Sequence, residues 1–183
     1  MKKIALLGDS IRLIGYGTKL AEVIGDEFAV WQPDENCRFS LYTLRNLKTW
    51  QDDIMGADLI HWNNGLWDVS DRYGDGPLVK PDVYVDSMLR IARVLKTMSE
   101  KIVFATTTPV RDCTGATENN ADITRYNELI VPKLTEMGIF INDLNSVVSQ
   151  NVDEYICEDN VHLSPLGIDV CADAVARVIK TLI

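Results

Sequence analysis

Apolar residues gather in five short runs along the chain, at positions 3–7, 27–31, 57–62, 101–106 and 138–141. Continuous apolar runs of this length, bounded by polar and glycine-rich segments, are typical of strands that are buried on both faces. Longer segments with helical periodicity separate several of the runs. Strands that alternate with helices predict a parallel sheet joined by right-handed crossovers, and therefore a three-layer α/β/α sandwich.

Three of the helices have clear signals. The first is indicated by apolar residues three or four positions apart, namely Val85, Met88, Ala92 and Leu95. A second is predicted over 123–137, where Pro132 is expected to kink the helix or to mark its boundary. A third is predicted to begin at Ser164 and Pro165, because a serine N-cap followed by proline favours the first turn of a helix.

Polar clusters follow three of the predicted strands directly, at 8–10 (Gly-Asp-Ser), 63–65 (Asn-Asn-Gly) and 107–109 (Thr-Thr-Pro). In open parallel sheets the ligand crevice lies beyond the carboxyl ends of the strands. We therefore expect these clusters to converge at one edge of the sheet. Gly, Asp and Ser are also common turn residues, so the first cluster alone is equally consistent with a simple turn.

A serine hydroxyl becomes an effective nucleophile only when a base takes its proton, so a role for Ser10 requires a histidine. The chain has two. His61 lies inside the third apolar run, where a packed ring is expected. His162 lies in EDNVHLSPLG with Asp159 three residues earlier, and a short turn would bring that carboxylate to the imidazole, although Asp159 is also an ordinary turn former. Cys157 is a weaker candidate nucleophile, because buried structural cysteines are common.

The stretches LLGDS and DNVHLSPLG resemble the first and last sequence blocks of the SGNH, or GDSL, hydrolases, and HWNNGLWD resembles their asparagine block. The resemblance implies a flavodoxin-like α/β/α fold with a five-stranded parallel sheet. It also implies that Ser10 is the nucleophile and that Asp159 and His162 complete a catalytic triad. No cofactor is implied, and no spaced set of histidines and acids indicates a metal site.

The same resemblance implies an oxyanion hole made by the Ser10 amide, the Asn63 side chain and a backbone amide from the second block. That block looks like ENCRFSLYTL, which lacks the glycine of the family, and an alignment places Ser40 and Leu41 at the expected loop. Leu41 is therefore the predicted third donor. Arg38 is predicted to approach the substrate, although a solvated surface arginine is an equal alternative.

Composition narrows the class of protein. A chain of 183 residues suits a single domain over 1–183, and the net charge of −9 disfavours nucleic acid as a partner. No apolar stretch approaches the ~20 residues needed to span a membrane, and no signal peptide is recognised. The cysteines, at 37, 113, 157 and 171, have no paired spacing and predict reduced thiols in a cytoplasmic protein. No pattern bears on oligomeric state.

Together these features predict a serine ester hydrolase that removes a small acyl group, foremost acetyl, from a carbohydrate or similar small-molecule ester. A lysophospholipase or thioesterase is the alternative enzyme, and a catalytically silent glycan-binding module is the alternative without chemistry. The segment 67–77 is long and irregular, and its aromatic residues are expected either to pack normally or to form a substrate-facing wall together with Trp62. Trp67 is the predicted substrate contact there.

Overall fold

The computed structural model describes residues 1–183 and contains one five-stranded sheet in which every strand pair is parallel. The strands are β1 (Lys2–Leu7), β2 (Phe28–Trp31), β3 (Leu59–Trp62), β4 (Ile102–Ala105) and β5 (Phe140–Asn142). Their order across the sheet is β2-β1-β3-β4-β5, which is the flavodoxin-like order. Each strand overlaps one of the five predicted runs, so the predicted fold class is confirmed.

Helices cover both faces of the sheet. They are α1 (Leu20–Ile24), α2 (Ser40–Ile54), α3 (Leu66–Val69), α4 (Pro81–Leu95), α5 (Asn120–Glu136), α6 (Leu144–Ser149), α7 (Val152–Tyr155) and α8 (Pro165–Leu182). Helix α1 packs against α8, α2 packs against α4, and α4 packs against α5. A π-helical turn (Ile11–Gly15) and a 3₁₀ turn (Tyr16–Thr18) follow β1. No helix combines the length and apolar character that a membrane crossing requires.

The core lies between the sheet and its two helical layers. Strands β3 and β4 are buried at every position, because a central parallel strand is covered on both faces. Helix α8 begins as expected: the Ser164 hydroxyl accepts the Gly167 N–H, and Pro165 occupies the first turn. This N-cap fixes the direction in which the chain enters α8 and so places the polar segment that precedes it.

Helix α5 decides against one of the two roles expected of Pro132, that of a helix boundary. It runs from Asn120 to Glu136 without a boundary at Pro132. Proline removes one backbone donor from a helix, which leaves the carbonyl four residues earlier without its usual partner. Pro132 is exposed, and both it and Glu128 border a surface groove, so that carbonyl is accessible to water. The helix therefore continues past the proline.

The carboxyl ends of the strands are aligned at one edge of the sheet. Leu7, the last residue of β1, is paired with Trp62, the last residue of β3. Ala105 at the end of β4 is paired with Asn142 at the end of β5. The loops after these strands consequently begin at neighbouring positions, and the three polar clusters meet there as predicted, with Asn63 bonded to Asp9 and Thr107 to Asn64.

Candidate active site

Ser10, His162 and Asp159 form a continuous line of hydrogen bonds at this edge. Ser10 Oγ lies 2.9 Å from His162 Nε2, and His162 Nδ1 lies 2.6 Å from Asp159 Oδ2. A carboxylate can only accept, so the ring proton sits on Nδ1 and Nε2 accepts from the serine hydroxyl. Residues 152 positions apart in the chain are thus brought into the geometry of a nucleophile, its base and an orienting acid.

A tight turn holds Asp159 against His162. The second carboxylate oxygen, Oδ1, accepts the backbone N–H groups of Val161 and His162, both at 2.9 Å. Asn160 has φ 69°, a left-handed conformation that asparagine tolerates better than most residues. Partial burial acts to raise the pKa of Asp159, but these N–H groups, the Cys157 thiol and the His162 ring together lower it well below its usual range. The carboxylate therefore stays ionised.

Cys157 supports the turn and is not placed to attack a substrate. Its thiol donates to Asp159 Oδ1 at 3.0 Å. Burial, followed by this hydrogen bond, raises the pKa of the Cys157 thiol, so the sulfur remains protonated and weakly nucleophilic. Arg111 fixes the same segment by donating to the carbonyls of Asp153, Ile156 and Cys157. No sequence pattern indicated this role of Arg111, because its partners are backbone atoms more than 40 positions away.

The Asn63 side chain is locked behind the serine. Its Nδ2 donates to Asp9 Oδ1 at 2.9 Å, and its Oδ1 accepts the Tyr16 hydroxyl at 2.9 Å. Asp9 Oδ1 also accepts the Ile11 N–H, and burial raises the pKa of Asp9 although these donors act to lower it. A Cβ atom on Gly8 would overlap Asn63 Oδ1. A glycine directly follows strand β1 because the Asn63 amide leaves no room for a side chain at this position.

Arg12 ties the second sequence block to this strand end. It is fully buried, and its guanidinium donates to the carbonyls of Gly8, Pro33 and Glu35 at 3.0, 2.8 and 2.7 Å. The Cys37 N–H donates to the Gly8 carbonyl at 3.0 Å. The loop that leads into α2 is consequently fastened beside Ser10.

Leu41 is not where the sequence alignment placed it. It occupies the second residue of α2, with its side chain 40% exposed, and does not border the cavity at Ser10. The Ser40 N–H is taken by the buried carboxyl of Asp68, whose pKa burial raises to about 7. The residue with a glycine-like backbone is Arg38, at φ 51°. Its N–H donates to Asn36 Oδ1 at 2.7 Å.

For the Arg38 side chain and for Trp62 the structure favours the structural one of the two alternatives expected from the sequence. The Arg38 guanidinium lies over the Tyr42 ring, 4.7 Å from its centroid, and Arg38 is exposed and not among the residues that line the cavity, which favours the surface arginine over the substrate contact. Trp62 is fully buried against Phe104 and cannot form a substrate wall. Asn64 has a structural place: it accepts from Trp62 Nε1 and donates to the Arg38 carbonyl, both at 2.8 Å.

A cavity of about 320 Å³ opens above Ser10 and His162. Its other lining residues are Asn36, Leu66, Trp67, Arg72, Thr117, Glu118, Asp159 and Val161. Trp67 borders this cavity, with the Arg72 guanidinium 5.4 Å from the centroid of its ring, and its contact with a substrate stays a prediction. A second groove of about 280 Å³ along residues 110–118 shares Thr117 and Glu118 with this cavity. Asn36, Arg72 and Glu118 were not predicted, because single polar residues in loops have no distinguishing pattern.

His61 is packed as predicted. It is fully buried in β3, and desolvation lowers its pKa to about 3, so the ring is neutral. It touches Tyr16 and Asn142 and does not reach Ser10's cavity. No three His, Cys, Asp or Glu side chains come together in a cluster suited to a metal ion.

Solved structures share this architecture over almost the whole chain. A lipase/acylhydrolase from Enterococcus faecalis superposes with a TM-score of 0.79 at 17% identity, covering 99% of this chain and 96% of its own. An acetylxylan esterase from Geobacillus stearothermophilus gives 0.72 at 19% identity, covering 96% and 93%. The chain has the SGNH/GDSL hydrolase fold. The resemblance read from its sequence blocks is therefore confirmed at the level of the fold.

A curated relative carries the same resemblance at the level of sequence. The GDSL esterase/lipase CPRD49 of Arabidopsis thaliana is 30% identical over 122 residues, which take in 58% of this chain. The match covers 47% of the plant protein, so this chain spans about half the length of that relative. No family model matches the chain.

Proposed function

We propose that this chain is a serine ester hydrolase in which Ser10 is the nucleophile, His162 the general base and Asp159 the orienting carboxylate. The observation that carries the proposal is the line from Ser10 Oγ to His162 Nε2 (2.9 Å) and from Nδ1 to Asp159 (2.6 Å), at the floor of an open cavity. An isolated serine and histidine on a surface would have no reason to be oriented by a third group that is itself fixed by a backbone turn.

The acylation step follows from the direction of these bonds. Ser10 Oγ attacks the ester carbonyl carbon while its proton passes to His162 Nε2, which gives a tetrahedral oxyanion. The Asp159 carboxylate, held ionised by its N–H donors, stabilises the imidazolium that forms. The C–O bond to the alcohol then breaks, and the alcohol leaves with the proton from Nε2. The serine keeps the acyl group as an ester.

Water completes the cycle by the same route. His162 Nε2 takes a proton from a water molecule, whose oxygen attacks the acyl carbon of Ser10. Collapse of the second oxyanion breaks the bond to Ser10 Oγ, which recovers its proton from Nε2 as the carboxylic acid is released. Water reaches this step readily, because the His162 side chain is 31% exposed and the Asp159 side chain 49%.

Three N–H groups are proposed to bind the oxyanion. Asn63 Nδ2 has two N–H bonds and uses one on Asp9, so one remains. The Ser10 backbone amide is the second donor. In place of Leu41 we propose the Arg38 amide as the third, because Arg38 has the glycine-like φ in the loop beside Gly8; its N–H bonds Asn36 Oδ1 in the free chain and must exchange this partner for the oxyanion. A preorganised donor such as the free Asn63 N–H lowers the barrier by roughly 3–4 kcal/mol.

We propose an acetylated carbohydrate as the substrate. The cavity has the volume for a small acyl group and one sugar unit, and Asn36, Arg72, Thr117 and Glu118 offer hydrogen-bond partners for ring hydroxyls. Only Leu66, Trp67 and Val161 among its lining residues are apolar, which is too little surface for a long acyl chain. The groove along 110–118 continues from Glu118 and has room for a second sugar unit.

Labelling with a fluorophosphonate separates an enzyme from a silent glycan-binding module. We expect one covalent adduct per chain, located at Ser10 by peptide mass spectrometry, because only a serine activated by a base attacks the phosphorus. The variant Ser149→Ala removes an exposed serine without a side-chain partner and serves as the control that labels normally. A wild-type chain that takes no label would support the binding module and contradict the enzyme.

An ester panel then identifies the substrate class. Acetyl, butyryl and octanoyl esters of one aryl alcohol test the acyl group, while acetylated xylose, a lysophospholipid and an acyl thioester test the leaving group. We expect kcat/KM to fall steeply beyond butyryl and to be highest for the acetylated sugar. Preference for octanoyl or for the thioester would replace the carbohydrate assignment and leave the serine mechanism intact.

Trp67→Ala tests the sugar contact directly. We expect KM for an acetylated sugar to rise about fivefold, since an aromatic ring contributes roughly 1 kcal/mol to a stacked partner, while KM for an aryl acetate changes less than about twofold. Tyr73→Ala is the matched control, because Tyr73 is in the same segment but 85% exposed and outside the cavity. Equal effects on both substrates would show that Trp67 does not bind the sugar.

A further inference from the structure

Behind the active-site edge, four buried side chains form an interior chain of hydrogen bonds: Asn142, His61, Tyr16 and Asn63. Asn142 Nδ2 lies 3.2 Å from His61 Nε2, and His61 Nδ1 lies 3.5 Å from the Tyr16 hydroxyl. The same hydroxyl lies 2.9 Å from Asn63 Oδ1. None of the four residues is more than 5% exposed. The interior chain crosses the core from β5 to the loop after β3.

With the Asn142 amide nitrogen facing His61, each bond in the interior chain has a single direction. An amide nitrogen is a donor only, so Asn142 Nδ2 donates and His61 Nε2 accepts. The neutral ring then carries its proton on Nδ1, which points at the Tyr16 oxygen. The tyrosine proton is left for Asn63 Oδ1. The orientation of the Asn142 amide therefore determines the tautomer of His61. That tautomer in turn directs the Tyr16 hydroxyl proton to Asn63 Oδ1.

The contacts of the Asn63 amide nitrogen indicate the same orientation of the amide. Asp9 Oδ1 accepts from Asn63 Nδ2, and it also accepts the Ile11 N–H. Rotating the amide by half a turn would set its oxygen against the Asp9 oxygen and its nitrogen against a hydroxyl whose lone pairs face His61. Both new contacts would be unfavourable, because a buried polar group that loses its hydrogen-bond partner carries the full cost of desolvation.

We propose that Tyr16, oriented by His61 and Asn142, is a positioning residue that holds the Asn63 amide with its nitrogen on the oxyanion side. The inference rests on the proposed function, in which Asn63 Nδ2 stabilises the oxyanion. Tyr16 touches no reacting atom, so its effect passes entirely through Asn63. The hydroxyl, and not the ring, is the group that orients the amide.

A double-mutant cycle on kcat tests this role. Tyr16→Phe removes the hydroxyl and keeps the ring, so we expect kcat for an aryl acetate to fall about tenfold with KM nearly unchanged, because the amide acts in the transition state. Asn63→Ala should lower kcat about 10²- to 10³-fold. Adding Tyr16→Phe to Asn63→Ala should then change kcat less than about twofold, since there is no amide left to orient.

Tyr126→Phe is the matched control. Tyr126 is also fully buried, and its hydroxyl donates to one acceptor, the Val79 carbonyl at 2.7 Å. We expect it to lower the melting temperature as Tyr16→Phe does but to leave kcat unchanged. Asn142→Ala is a second probe at the far end of the interior chain, because it frees His61 to carry its proton on Nε2; it should lower kcat in the same direction without changing KM.

The outcomes separate this inference from the proposed function. A wild-type chain that neither hydrolyses esters nor takes the fluorophosphonate overturns both. An active wild type overturns the positioning role alone if Tyr16→Phe keeps full kcat, if Tyr126→Phe loses as much, or if the tenfold loss persists in the Asn63→Ala background. If Tyr16→Phe fails to fold, an unchanged kcat in Asn142→Ala is the result that rejects the positioning role of Tyr16.

Discussion

Ser10→Ala lowers kcat for ester hydrolysis by about 10⁴- to 10⁶-fold, which is the loss typical of removing a serine nucleophile that acts as a unit with its base. The change deletes one oxygen and its single side-chain hydrogen bond, to His162 Nε2. Circular dichroism and the melting temperature should match those of the wild type, because the residue is only partly buried and its backbone is helical. Activity is measured with an aryl acetate at saturating concentration.

The acyl-enzyme provides an internal check on Ser10→Ala. Rapid mixing of wild-type chain with excess aryl acetate should release a burst of alcohol if deacylation is the slower step, and the variant should show none. Ser149→Ala, the exposed serine at the end of α6, should retain full activity. Turnover by Ser10→Ala within about tenfold of the wild type would remove Ser10 from the mechanism.

Gly8→Ala is the second change with a large expected effect. The added Cβ would overlap the Asn63 amide oxygen and would approach Arg12 Cβ at 2.9 Å. Overpacking a closed interior of this kind costs roughly 3 kcal/mol, because neither neighbour can move without breaking its own hydrogen bonds. We expect a urea midpoint well below that of the wild type, and a kcat lowered by about 10²-fold as the Asn63 amide is displaced.

The clash can be assigned to Asn63 by combining substitutions. Asn63→Ala removes the atoms that the new Cβ meets first, so the variant carrying both changes should be more stable than the sum of the two single effects predicts. Arg12 remains close and accounts for the part of the loss that is not recovered. Strict additivity would mean that Gly8 is required for a reason other than the amide above it.

The strands were predictable from the sequence because a strand that is buried on both faces can contain few residues other than apolar ones. A strand in the middle of a parallel sheet is covered on both faces, so β3 and β4 had to be continuous apolar runs, and His61 was recognisable as a packed residue within one. Pro132 does not mark a helix boundary because the cost of a proline inside a helix depends on whether the freed carbonyl is buried. Sequence does not give that information, and here the proline faces outward.

The second block shows the limit of reasoning from residue types. Because the second block contains no glycine, the alignment assigned the third oxyanion donor to Leu41. In the structure, Arg38 adopts the left-handed backbone conformation that glycine favours. The loop is held by Arg12 from one side and by Asn64 Nδ2 on the Arg38 carbonyl from the other. These contacts outweigh the intrinsic preference of arginine, which is worth only about 1–2 kcal/mol.

By itself, the amino-acid sequence determined the order of strands and helices, the turn that joins Asp159 to His162, and the polar residues that end β1 and β3, because each depends on neighbours within a few positions. Only the tertiary structure decided which of those polar groups meet. Ser10 reaches His162, and Asn63 reaches Tyr16 and Asp9, through crossovers whose packing sets distances to a few tenths of an ångström. Periodicity carries no information at that precision, since it records burial and not contact.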